Sequence, residues 1–148
     1  WHIRAMLSAH EAADEVLQNT LVKVFRGISA FRSDARLYTW LYKIATNECL
    51  TYLAKEKRYQ QRHSFDDNEQ ANLSNAEPYL DSQYTAQLLQ KAINTLPDKQ
   101  KIVFNLRYFQ EMPYQEMSEM LTTSVGALKA SYHHAVKKVE EFLRGQTL

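Results

Sequence analysis

The sequence is poor in the residues that break or staple a fold. Its 148 residues include three glycines, three prolines and one cysteine. So few turn formers, with no sustained alternation of Val, Ile and Thr, argue against an all-β fold of short strands and tight turns. The single Cys49 excludes an internal disulfide and suits a reducing compartment. No run approaches the roughly 18 apolar residues of a membrane span. No basic segment followed by an apolar one opens the chain, so no secretory signal is expected. The chain starts at Trp1 rather than Met, and Trp1–Leu7 is expected to end a helix that begins upstream. A phosphate-cradling Gly-rich loop, a metal-spaced Cys/His set and a nucleophile–base pair are all missing. No catalytic residue, metal, cofactor or small-molecule substrate is therefore expected.

What is present favours helix. Hydrophobic residues make up 45% of the chain, enough for a packed core. Ala13, Val16, Leu17, Leu21, Val24 and Phe25 fall at helical spacing, and a second helix is predicted from about Ala35 to Lys57. Its apolar stripe is Leu37, Leu41, Ile44, Ala45, Cys49, Tyr52 and Leu53. The stretch Gln60–Tyr79 has no usable period and reads as a flexible loop. Helices resume at Ser82–Asn94, from Pro97 to about Tyr108, at Pro113–Leu121, and from Val125 to about Leu143. Both prolines suit helix starts. The expectation is an all-α protein of two small helical domains, residues 1–59 and 82–148, joined by a linker over 60–81.

Charge supports the division. Residues 1–59 carry nine Lys/Arg against six acids, and residues 60–85 carry five acids against Arg62 alone. A basic block followed by an acidic tether suggests that one part meets nucleic acid and the other avoids or imitates it.

Three surfaces stand out. Two helices joined by a turn at Thr122–Ser124 have the helix-turn-helix pattern, whose second helix can enter a major groove. At about 100° per residue, Leu128, Tyr132, Ala135, Val136 and Val139 share one face. Gly126, Ala130, His133, His134 and Lys137 lie opposite, flanked by Lys129. Lys129 and Lys137 would hold phosphates, and the histidines could touch phosphates or base edges; a solvated helical hairpin fits the same periodicity. On the second helix Arg36, Trp40, Lys43 and Asn47 share one side, with Phe31 and Arg32 just before. Cations can track a phosphate backbone while aromatics stack on exposed bases, although Trp40 could equally pack in the core. Asp14, Glu15, Gln18 and Asn19 form a polar set on the preceding helix, either a solvated face or a protein-docking surface.

These residues carry a family resemblance. The stretch from Ala12-Ala13-Asp14-Glu15 to Val24-Phe25, then Phe31-Arg32-Ser33-Asp34, then Thr39-Trp40-Leu41-Tyr42-Lys43-Ile44-Ala45-Thr46-Asn47, resembles region 2 of sigma-70-type factors of the extracytoplasmic-function group. Leu96-Pro97, Tyr114-Gln115-Glu116-Met117-Ser118 and Ser124-Val125-Gly126-Ala127-Leu128-Lys129-Ala130-Ser131-Tyr132 resemble region 4. The two motifs occur in the family's order and cover nearly everything outside the linker.

The resemblance implies a non-catalytic factor that binds core RNA polymerase, recognises −35 and −10 promoter elements and promotes −10 melting. It implies that Asp14, Gln18 and Asn19 face the β′ clamp. Phe31, Arg32, Arg36, Trp40, Lys43 and Asn47 would capture the −10 element, with Asn47 at an extruded base. Lys129, Ala130, Ser131, His133, His134 and Lys137 would meet the −35 duplex, with region 4 resting on the β flap. It further implies an anti-sigma regulator and a cytoplasmic location, with sequestration at the inner membrane. Ala130, Ser131 and His134 stand where the family often has arginines, implying an altered promoter preference. The rival readings are a stand-alone helix-turn-helix regulator and a helical module that binds only protein.

Overall fold

The structure is a computed structural model that describes residues 1–32, 36–63 and 82–147. Among these residues it holds seven α-helices and no strand. They are α1 (His2–Met6), α2 (His10–Gly27), α3 (Leu37–His63), α4 (Ser82–Asn94), α5 (Asp98–Phe104), α6 (Tyr114–Leu121) and α7 (Val125–Thr147). The first three form one helical unit and the last four a second. The expected linker overlaps the end of α3, which runs to His63 rather than stopping near Lys57. Residues 64–81 lie outside the described residues, as do Ser33, Asp34 and Ala35 of the expected DNA-binding loop.

Local chemistry explains most boundaries. Pro97 and Pro113 sit immediately before α5 and α6, where the missing proline amide costs no helical hydrogen bond. Ser124 caps α7, its hydroxyl accepting from the Ala127 amide at 3.2 Å. The helix expected from Pro97 to Tyr108 instead changes character, with α5 opening at Asn105–Phe109 into a wider π-helical turn. That turn points Asn105 and Leu106 inward, both fully buried. The chain then folds back, the Met112 amide donating to the Leu106 carbonyl at 3.0 Å.

Two apolar clusters hold the fold. The smaller is internal to the second unit: Ala92, Ile93 and Leu96 of α4 and its following turn meet Phe104, Ala135 and Val139. The larger crosses between units. It joins Ile3, Met6, Leu7, Ala13, Val16 and Cys49 to Ile102, Val103, Leu106, Met112, Met117, Met120 and Leu128. Truncating a fully buried member such as Leu106 would cost about 2–5 kcal/mol.

Several polar side chains are buried alongside these apolar ones, His2, Thr46, Lys101 and Asn105 among them. Asn105 donates weakly to the Ala5 carbonyl (3.5 Å) and the Met6 sulfur (3.6 Å). Its Oδ1 has no partner. A buried acceptor left unsatisfied costs about 1–3 kcal/mol. That cost falls at the contact between the two units, since Asn105 lies against Ala5 and Met6.

Candidate nucleic-acid and protein interfaces

The first surface is built on α3. Trp40 lies across the end of α2, where Gly27 makes room: a Cβ there would come within 3.1 Å of Trp40 Cζ2. Phe31 packs against the indole as well, its ring centroid 5.2 Å from that of Trp40 and tilted by 47°. Arg32, Arg36, Lys43 and Asn47 are exposed around this half-buried aromatic pair. Aromatic faces ringed by cations and an amide suit an unpaired, stacked strand better than a closed duplex.

A different flank of α3 faces the second unit. Tyr38 and Tyr42 both donate to Gln110 Oε1, at 3.0 and 2.7 Å. Thr39 donates to Glu116 at 3.2 Å, and the same carboxylate pairs with Arg36 at 3.2 Å. Burial, then the neighbouring Tyr38, pushes the Tyr42 hydroxyl up to about 12, so it stays protonated and able to donate. Farther along, Lys57 pairs with Asp98 at 2.5 Å. Lys101 beside them is buried, and desolvation holds its ammonium below the usual lysine range.

The second surface is the outer side of α7. Lys129, Ala130, His133, His134 and Lys137 are exposed along it. The imidazoles of His133 and His134 are 6.0 Å apart in an edge-to-face arrangement. Ser131 is half-buried and lines a groove with Leu50, Thr123 and Leu128, so it sits at the margin of this face. Sequence reasoning missed Arg107. The π-helical turn places its guanidinium 4.9 Å from the Tyr114 ring centroid, and Lys129 approaches the same ring at 5.8 Å. One tyrosine thus gathers two cations from separate elements. Arg107 also donates to the Met112 carbonyl at 3.1 Å, which fixes its direction.

The third surface is α2. Asp14, Gln18 and Asn19 are all exposed. Asp14 pairs with Arg4 at 3.8 Å, but both side chains are mostly solvated, so the pair adds little. The apolar spacing marked Leu17, Leu21 and Phe25 as part of a helix face. Only Ala12, Ala13, Val16 and Thr20 of α2 are buried, whereas Leu21 is 57% and Phe25 83% exposed. By helical geometry Asp14, Gln18, Leu21 and Phe25 form one stripe. Leu21, Val24, Phe25 and Ile28 continue it as a shallow apolar depression. Leu21, Val22, Phe25 and Ile28 together leave a contiguous apolar patch in water.

Among the described residues no cluster of three His, Cys, Asp or Glu could hold a metal ion, and no helix is long and apolar enough to cross a membrane.

Comparison with known proteins identifies the class. Residues 1–59 match the family model "Sigma-70 region 2" and residues 86–139 match "Sigma-70, region 4". The chain is 30% identical over 128 residues to the RNA polymerase sigma factor YlaC of Bacillus subtilis, covering 84% of this chain and 73% of that protein. It is 27% identical over 135 residues to the ECF RNA polymerase sigma-E factor of Escherichia coli K12, covering 85% and 71%. In fold it is similar to the sigma factor RpoE solved with the anti-sigma factor NepR from Bartonella quintana. That match has a TM-score of 0.78 at 24% identity, covering 97% of this chain and 88% of that one. It is also similar to CnrH solved with the cytosolic domain of CnrY, with a TM-score of 0.67 at 18% identity. The chain belongs to the extracytoplasmic-function (group 4) sigma-70 family of RNA polymerase sigma factors. Members of this family are non-catalytic initiation factors that bind core RNA polymerase and recognise promoters, and the chain is one of them.

Proposed function

We propose that the two units divide promoter recognition between melted and duplex DNA. The α3 surface captures the −10 strand: Phe31 and Trp40 stack, Arg32, Arg36 and Lys43 hold phosphates, and Asn47 reads an extruded base. The α7 surface docks in the −35 major groove through Lys129, Ala130, Ser131, His133, His134 and Lys137, with Arg107 as an added phosphate ligand. The α2 stripe of Asp14, Gln18 and Asn19, extended by Leu21 and Phe25, binds the β′ clamp, and the second unit rests on the β flap. An anti-sigma factor regulates the chain, in keeping with the NepR complex of its structural relative. The working location is the cytoplasm, with sequestration at the inner membrane when that regulator is membrane-tethered.

The observation that carries this reading is the Trp40 platform, seated on Gly27 and flanked by Phe31, with Lys43 and Asn47 exposed beside it. A duplex-only regulator has no use for it.

The test is promoter-specific transcription by core polymerase with and without the chain, and with Asn47→Ala. We expect specific initiation only when the chain is present. Asn47→Ala should lower open-complex formation while core binding persists. Equal loss of both activities, or specific promoter binding that needs no core, would overturn it.

A further inference from the structure

We propose that base reading on the −35 duplex rests on Ala130 and His134, which meet a thymine methyl and a guanine edge, while Lys129, His133 and Lys137 hold phosphates. The inference rests on the duplex-binding role of α7 proposed above.

The side chains of α7 divide by where they lie. Leu128 is buried and marks the inner side of the helix. At about 100° per residue, Ser131 is only about 60° from it, half-buried beside Leu50 and Thr123. That position is too far inward to read a groove. Lys129 lies on one flank, its ammonium over the Tyr114 ring at 5.8 Å, with the Arg107 guanidinium over the same ring at 4.9 Å. His133 follows Lys129 by one turn on that flank. Such a row of donors along one edge tracks the backbone, which positions a helix without reading sequence. Base edges are met by the N-terminal residues of a recognition helix. Lys137 starts about 18 Å beyond Val125, at about 1.5 Å per residue, and so falls to the backbone as well.

What remains on the outer side is Gly126, Ala130 and His134, all exposed and stacked in one row by their spacing of four. A Cβ at Gly126 would meet nothing within 4 Å, so the row begins in open space, and a bare backbone there admits close approach to DNA. Ala130 offers a methyl and neither donor nor acceptor. Against base edges it complements the 5-methyl of thymine, whereas a polar base edge would lose water to it without gaining a partner. His134 offers an imidazole N–H. Guanine sets two acceptors, N7 and O6, side by side, while adenine sets an amino donor beside N7. A single donor is therefore accepted by guanine in more poses. Four residues span about 6 Å of helix and base pairs rise about 3.4 Å, so the two readers fall within about two base pairs.

The test uses the chain bound to core polymerase. A randomised duplex library is selected for binding, and the enriched duplex is then altered one base at a time. Deoxyuridine in place of thymine removes only the methyl, and at one position it should weaken wild-type binding about fourfold, the worth of one buried methyl. Deazaguanine lacking N7 should weaken it about fivefold at a second position nearby, the worth of one hydrogen bond. The deoxyuridine penalty should vanish in Ala130→Gly, and the deazaguanine penalty in His134→Ala. Each penalty is a ratio taken within one variant, so a weaker helix or a lower overall affinity cancels. His134→Gln should exchange guanine for adenine, whose N6 and N7 suit the amide, and His133→Ala should weaken all duplexes alike. Penalties that persist in the variants, or an enriched duplex with no thymine and guanine at that spacing, would overturn the assignment and leave the sigma reading intact. Enrichment of no sequence at all would instead overturn the sigma reading.

Discussion

Arg36, the residue that leads into α3, and Glu116 of α6 meet across the two helical units at 3.2 Å, with 77% and 23% of their side chains exposed. An ion pair that open to water contributes about 0–1 kcal/mol. It therefore sets which surfaces face each other more than how strongly they adhere. The adhesive part is the shared interior, where Leu106 and Met117 are fully buried.

The exposed stripe on α2 gives the first prediction. Phe25→Ser should leave thermal stability nearly unchanged, because the ring already lies in water. It should weaken binding to core polymerase by about tenfold, the scale of a buried aromatic anchor at an interface. A binding titration beside a melting curve checks both. A large drop in stability with unchanged core affinity would assign Phe25 to the fold.

The cations around Tyr114 give the second. Lys129→Ala and Arg107→Ala should each weaken binding to a −35 duplex and reduce the salt slope by about one. Initiation from a template premelted at −10 should be unaffected by Lys129→Ala. Affinities measured over a salt series separate a phosphate ligand from a packing residue, since loss of packing would leave the slope unchanged.

The third concerns pH. His2 is buried beneath Tyr42, and its Nε2 lies 2.9 Å from the Thr46 hydroxyl. Burial lowers its pKa to about 4. The unfolded chain, with an ordinary imidazole near 6.5, therefore binds a proton first as pH falls. The contribution is fully present above about 6.5 and is lost progressively down to about 4, by roughly 3 kcal/mol at most. Denaturant unfolding at pH 7 and pH 4.5 should show this decline in the wild type and a shallower one in His2→Gln. Identical declines would place the titration elsewhere.

The fourth is a gain. Thr122 ends α6 in the left-handed region at φ 52°, and its amide and that of Thr123 both return to the Ser118 carbonyl. A β-branched residue is strained there, and glycine is not. Thr122→Gly should raise stability by about 0.5–1 kcal/mol and preserve the turn into α7. A lower melting temperature would show that the threonine side chain matters more than its backbone strain.

Much of the architecture was legible because period and punctuation agree. Pro113, the turn before Ser124, and the buried spacing of Leu128, Ala135 and Val139 fix α6 and α7. The end of α3 was not legible, since Arg58 to His63 contains neither glycine nor proline and composition turns acidic only later. The π-helical turn was hidden for another reason. Nothing in Asn105–Phe109 differs locally from an ordinary helix, and its widening serves contacts with Ala5 and Met6 about 100 residues away. The candidate surfaces divide in the same way. Spacing placed Arg36, Trp40, Lys43 and Asn47 on one side of α3, but it could not reveal Gly27 beneath the indole or Gln110 and Glu116 across the junction. Periodicity marks an apolar face and is silent on what covers it, so the spacing of Leu21 and Phe25 could not tell a buried position from an exposed one.

The chain's sulfur is stored indoors. Cys49 and the four methionines, Met6, Met112, Met117 and Met120, are all buried. Burial, then nearby Glu48, pushes the Cys49 thiol up to about 12, leaving almost no reactive thiolate at neutral pH. With every sulfur buried, the molecule presents no exposed sulfur to peroxide. Met6 is different, because it touches Asn105 across the junction. Oxidation of Met6 to the sulfoxide would place a polar, bulkier group against Asn105 inside this shared interior and loosen its packing.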